Sequence, residues 1–165
     1  MELILEHSFH SGSAEDTLAL DAKLGKLLQP GDFVGLIGDL GAGKTQLVRG
    51  VAAGANVPTA QVASPTFAIV YPYVGRLPIY HADFYRLESY DELYATGFTD
   101  LVAGDGAVLV EWLDRIPRAA PPELLMMRFR TPDAKRPEVR TISAQAFGPR
   151  HTALLRDWIF AQKIR

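Results

Sequence analysis

The chain has 165 residues, 48% hydrophobic and 22% charged, which fits one globular core and excludes a disordered or fibrous chain. Cysteine is absent, which rules out disulfides, thiolate catalysis and cysteine-ligated metals. No apolar run has the length of a membrane span or the flanks of a signal peptide, so a cytoplasmic protein forming a single domain over residues 1–165 is expected.

In chain order, Ser13-Ala14-Glu15-Asp16 has the form of a capping box, and Leu20, Leu24, Leu27 and Leu28 follow at helical spacing until Pro30-Gly31 stops the helix. Residues 32–37 then form a short apolar run suited to a strand buried on both faces. A Gly-rich loop follows, and Leu47, Val48 and Val51 mark a second helix closed by Gly54 and Pro58. Residues 67–73 and 77–83 read as a hairpin around Val74-Gly75-Arg76, with Phe67, Ile69, Tyr71 and Tyr73 on one side. Its paired residue numbers sum to about 150, which brings Thr66 and Asp83 to the same open end.

Further along, Ser89 caps a helix over 90–94 ended by Gly97, and Ala107-Val108-Leu109-Val110-Glu111 is a buried strand with a carboxylate at its end. Residues 118–122 read as a connector. Strands near 123–130 and 138–143 flank a Pro-bounded turn, and Leu154, Leu155, Trp158 and Ile159 form the apolar stripe of a last helix. This alternation predicts a three-layer α/β sandwich around a mostly parallel sheet with antiparallel strands at its edge.

The chemistry is concentrated in Gly38-Asp39-Leu40-Gly41-Ala42-Gly43-Lys44-Thr45, a complete G-x-x-x-x-G-K-[ST] loop between a predicted strand and a predicted helix. Its backbone N–H groups, with the helix start through Gln46, suit the phosphates of a nucleotide. Lys44 suits the β and γ oxygens, and the Thr45 hydroxyl suits Mg²⁺. Such a site needs a carboxylate for the metal and a group to orient water. Glu111 and Asp83 are the two candidates, each with an ordinary alternative: a solvated strand end for Glu111, a local ion pair with Arg86 for Asp83. His81 reads as a strand residue with a satisfied hydrogen bond rather than a base. Trp112 either packs against the site or fills the core. All six tyrosines fall between 71 and 94, which reads as half-buried strands, with an exposed aromatic binding face as the alternative. No Asn/Thr-Lys-x-Asp stretch is present to read guanine, so ATP is the expected nucleotide.

Gly38–Thr45, Ser64-Pro65-Thr66-Phe67, His81-Ala82-Asp83-Phe84-Tyr85-Arg86 and Val110-Glu111-Trp112 occur in an order and spacing that resembles the bacterial TsaE family. The resemblance runs from the first helix to about residue 116. It implies an ATP·Mg²⁺ hydrolase, slow alone, that works with TsaD and TsaB in placing threonylcarbamoyl on adenosine 37 of tRNAs reading ANN codons, resetting that complex between rounds. It further implies phosphate binding by Gly41 through Thr45, Mg²⁺ binding by Thr45 and Glu111, a catalytic or switch role for Asp83, a switch role for Thr66, and an aromatic neighbour of the metal carboxylate in Trp112. A small-molecule kinase, with Arg128, Arg130, Arg136 and Arg140 as lid residues, and a nucleotide-gated assembly module are the alternatives.

The formal charge of −2 hides a division along the chain. Residues 1–114 carry 6 Lys and Arg against 15 Asp and Glu, whereas residues 115–165 carry 11 against 4. The basic stretch lies outside all four motifs and is the expected face toward tRNA or an acidic partner patch, with a simply solvated face as the alternative.

Overall fold

The structure, a computed structural model, describes residues 1–63, 69–130 and 133–164. Its elements are β1 (Leu3–Ser11), α1 (Ala14–Leu27), β2 (Phe33–Ile37), α2 (Lys44–Gly54), β3 (Val70–Val74), β4 (Pro78–Asp83), α3 (Tyr90–Ala95), α4 (Phe98–Val102), β5 (Ala107–Glu111), β6 (Leu124–Phe129), β7 (Arg140–Phe147) and α5 (Pro149–Ala161). The strands form one sheet in the order β1-β7-β6-β2-β5-β4-β3. The four central strands β6, β2, β5 and β4 are parallel, and antiparallel pairings add β7 and β1 on one side and β3 on the other.

Period-2 alternation along the central strands sends side chains into two cores. Val34, Leu36, Ala107, Leu109, Leu125 and Met127 face α1, α2 and α5. Phe33, Val108, Val110, Leu124 and Met126 face the opposite side, where Leu93 of α3 and Phe98 of α4 cover them. Each fully buried Leu or Phe contributes about 2 kcal/mol through loss of apolar contact with water, so a short strand buried on both faces is held mainly by packing. The expected three-layer sandwich is therefore observed. Among the described residues no helix is long and apolar enough to cross a membrane.

The predicted caps form. Ser13 Oγ accepts from Asp16 N at 3.0 Å and Ser89 Oγ from Glu92 N at 3.2 Å. Gly54 is the last residue of α2 rather than a bare stop: a Cβ there would lie 1.9 Å from Ala22 O, so its small size is what lets α2 lie against α1.

Three expectations are corrected. The hairpin pairs Val74 with Pro78 and Tyr73 with Ile79, sums of 152, so its turn is Gly75-Arg76-Leu77. Tertiary anchoring sets that register: Arg76 N donates to Ala55 O at 2.7 Å, its guanidinium donates to Gly25 O and Leu28 O at 2.9 Å each, and Leu77 enters the core. β7 extends to Phe147 because β1, a strand that the sequence pattern does not announce, pairs along its length. α4 is a further short helix, begun at Gly97 with φ 80°.

Candidate functional site

β2 delivers the chain to the phosphate loop at the carboxyl end of the parallel strands, where α/β sheets place ligands. The loop conformation depends on glycine. Gly43 has φ 106°, a left-handed conformation disfavoured for side-chain-bearing residues, and Gly38 lies so close to β6 that a Cβ would meet Phe129 Cβ at 2.9 Å. Gly43 caps α2 and Leu47 N donates to Gly43 O at 3.0 Å, so the first turn of α2 opens directly behind the loop. Ala42 is fully buried, whereas Asp39, Leu40, Gly41 and Gln46 are exposed, and Leu40 at 78% forms the loop's outermost apolar point.

Lys44 is buried by comparison with an ordinary surface lysine. Its Nζ donates to the Gly38 carbonyl and, at 2.8 Å, to Asp39 O, and it lies 4.1 Å from the centroid of the Trp112 ring. Burial pushes its pKa below the usual lysine range, while Glu111, Asp83, Asp114 and Asp39 pull it back up.

The register places the acids. Glu111 lies beside Leu36 of β2 and Asp83 beside Glu111, so two carboxylates stand on neighbouring parallel strands next to the strand that enters the loop. Glu111 is 3% exposed, which excludes the solvated strand end. Its Oε1 accepts from Thr45 Oγ1 at 2.8 Å, tying the end of β5 to the start of α2. Asp83 is half-buried, and its Oδ1 accepts from Tyr85 N at 2.8 Å. A hydroxyl and a carboxylate oxygen converging beside a phosphate loop are hard donors of the kind Mg²⁺ takes alongside its waters. Among the described residues no group of three or more His, Asp or Glu is arranged to hold a metal by itself.

Trp112 sits just past the strand with φ 59°, its N–H bonded to Leu36 O at 3.0 Å, which turns the indole over Lys44. Its other ring neighbour is Tyr85, at 4.9 Å between centroids. Trp112 thus packs against the site and against the second core at once. Thr66 and the rest of Ser64–Phe67 lie outside the described residues. The tyrosines divide: Tyr73 is buried, whereas Tyr71, Tyr85 and Tyr94 are exposed.

Three side chains join the site to which the sequence alone assigns no role at the phosphate loop. His81 is fully buried and bonds Glu111 Oε1 through Nε2 at 2.8 Å, and Tyr73 bonds the other ring nitrogen at 3.1 Å. The reading of His81 as a satisfied strand histidine holds; its partner is not legible from spacing. Arg140, in the basic stretch, lies against the loop: a Cβ on Gly43 would be 3.2 Å from its Nε. Elsewhere in the basic stretch, Arg150 is paired with Asp32, Arg118 lies 4.3 Å from the Tyr90 ring centroid, and Arg128, Arg130 and Arg136 are exposed.

A strand, a Gly-rich loop opening a helix, a Lys and Thr at the helix start, and a carboxylate on the adjacent parallel strand define a P-loop nucleotide-binding protein. The pattern of the family described as threonylcarbamoyl adenosine biosynthesis protein TsaE matches residues 11–141. The chain belongs to the TsaE family. It is 40% identical over 111 residues to the tRNA threonylcarbamoyladenosine biosynthesis protein TsaE of Treponema pallidum, covering 67% of this chain and 82% of that one. It is 38% identical over 144 residues to the protein of the same name from Bacillus subtilis, covering 87% of each. The crystal structure of Bacillus subtilis YdiB superposes with a TM-score of 0.79 at 28% identity, over 98% of this chain and 99% of that one. These matches carry the likeness past residue 116, through β6 and into β7.

Proposed function

We propose that this protein is an ATP-binding and ATP-hydrolysing component of tRNA threonylcarbamoyladenosine biosynthesis, a single domain over residues 1–165. It acts with TsaD and TsaB in the modification of adenosine 37 and resets that complex between rounds. The observation that carries the reading is the convergence of Lys44, Thr45 and Glu111 at the phosphate loop, in a chain of the TsaE family.

In this reading the loop from Gly38 to Gly43 and the start of α2 through Gln46 receive the phosphates, and Lys44 exchanges its bonds to Gly38 O and Asp39 O for phosphate oxygens. Thr45 and Glu111 hold Mg²⁺, which when bound neutralises charge developing on the phosphates. Asp83 orients the attacking water, Thr66 reports the γ-phosphate to the partner surface, and Trp112 steers Lys44 through the ring face it presents. tRNA is met through the partners or through the exposed arginines Arg128, Arg130 and Arg136.

The test is reconstituted tRNA modification at limiting TsaD and TsaB, with phosphate release followed in parallel. One round without this protein and many with it, accompanied by free phosphate, is the expected result. A phosphorylated small molecule in place of free phosphate would identify a kinase. Repeated modification by a Glu111→Ala or Asp83→Ala variant that binds but does not hydrolyse ATP would identify an assembly module.

A further inference from the structure

Glu111 Oε1 takes two hydrogen bonds, one from Thr45 Oγ1 and one from His81 Nε2, both at 2.8 Å. A carboxylate oxygen has no hydrogen to give, so Nε2 carries the proton of that bond. The His81 ring is itself held: Nδ1 lies 3.1 Å from the Tyr73 hydroxyl, and the Ala63 backbone bonds to that same hydroxyl. A neutral ring that donates through Nε2 accepts at Nδ1, so the phenol O–H of Tyr73 donates to Nδ1 and holds the ring in the tautomer that donates to Glu111. His81 is 0% exposed and Tyr73 3%. The line Ala63, Tyr73, His81, Glu111, Thr45 crosses β3, β4 and β5 and ends at the first turn of α2.

Packing alone does not call for this arrangement. His81 lies between Ile79 and Asp83 on the face of β4 toward α2, where an aliphatic side chain would fill the same space without a desolvated imidazole. The imidazole orients one carboxylate. A carboxylate with one oxygen fixed between two donors presents a fixed direction to a cation, and such supporting bonds commonly govern metal affinity by about 10–100-fold.

We propose that His81, held by Tyr73, is a positioning residue that presents the Glu111 carboxylate to the nucleotide-bound divalent cation. The inference rests on the assignment of Thr45 and Glu111 as the Mg²⁺ donors. Its effect is confined to the metal-dependent part of nucleotide binding, because His81 acts through Glu111 and not through the phosphate loop.

Calorimetric titration of the full chain with ADP, in EDTA and across a Mg²⁺ series, tests it without recourse to turnover. His81→Leu keeps the volume and removes the donor; the half-saturating Mg²⁺ concentration is expected to rise about tenfold or more while ADP affinity in EDTA stays at the wild-type value. His81→Gln, which returns an N–H near the Nε2 position, is expected to restore most of the Mg²⁺ response. Tyr73→Phe removes one hydroxyl and is expected to raise the half-saturating concentration severalfold, and it decides the matter if His81→Leu does not fold. An unchanged Mg²⁺ dependence in a folded His81→Leu or in Tyr73→Phe overturns the inference, as does an equal loss of ADP affinity with and without Mg²⁺. A wild-type protein whose ADP affinity ignores Mg²⁺ overturns the metal assignment itself, and the inference with it.

Discussion

The two ends of the parallel sheet bury charge in opposite ways. At the amino end, Asp32 precedes β2 and is closed on every side: Arg150 of α5 grips it through two bonds of 2.8 and 2.6 Å, and Gln29 N donates to it at 2.8 Å. Next to it, His151 accepts from Phe33 N at 3.1 Å. At the carboxyl end, Lys44 is buried with its ammonium on neutral groups, two loop carbonyls and an indole face. The amino end uses its charges to fix α5 to the sheet. The carboxyl end holds a cation at a cost to its own protonation, in a place where a polyanion would relieve it.

This contrast makes function and stability separable. Lys44→Ala should weaken ATP and ADP binding by roughly 100-fold or more, since charge-assisted bonds contribute about 1.5–3 kcal/mol each and a lysine on two phosphate oxygens makes several. Its melting temperature should stay level or rise, because a partly desolvated ammonium is removed. Normal nucleotide affinity in this variant would end the phosphate-loop assignment. Arg150→Ala should do the reverse, leaving Asp32 buried without its cation at a cost of about 3 kcal/mol in chemical denaturation, with nucleotide affinity unchanged. A matching loss of affinity would show that the two ends are coupled through β2.

The parts of the site written in one contiguous stretch are legible in the sequence itself. A loop whose backbone needs φ 106° at Gly43 must carry glycine there, and the chemistry of Lys44 and Thr45 follows at fixed spacing. Glu111 is legible as a carboxylate ending an apolar run. What stays hidden depends on strand order. His81 meets Glu111 only because β4 lies beside β5, and Arg140 reaches Gly43 only because β7 and β6 sit next to β2. β1 is hidden for a different reason: Leu5, His7, Phe9 and Ser11 alternate inward, but two of these four are polar, so its apolar alternation is faint in the sequence and the strand is held by pairing with β7. The hairpin register departs from the expected one by one turn position because Arg76 answers to helix carbonyls 48 to 51 residues away.

Between the two ends, Asp21 of α1 is buried against Gly50 of α2, and neither carboxylate oxygen has a hydrogen-bond partner among the described residues. Burial raises its pKa from 3.8 to about 8. The fold therefore keeps a proton that the unfolded chain releases above about pH 4, and stability is lost as pH climbs from about 4 to about 8. Asp21→Asn keeps the shape and removes the titration. It should melt several degrees higher than wild type at about pH 8, with the gain shrinking to nothing near pH 4; a gain that does not vary with pH would mean the carboxyl is not held neutral.

His151 gives the smallest effect and the finest test of the amino end. Asp32 stands 4.0 Å from its Nε2, which favours a proton there, but the Phe33 N–H already points at that nitrogen and a second hydrogen would break the bond. Burial, the largest influence, lowers the pKa below 6.5, and Arg150 adds to it against the pull of Asp32 and Glu123. The neutral ring is thus the folded form. As pH falls through 6.5 the unfolded chain gains a proton that the fold resists, so this contribution is full above pH 6.5 and declines below it. The stability advantage of wild type over His151→Gln, whose amide oxygen can still accept from Phe33 N, should shrink between about pH 7 and about pH 5 in paired denaturation curves. An advantage that grows on acidification would mean that Asp32 has won the proton, and that the amino end holds an ion triad rather than a pair beside a neutral acceptor.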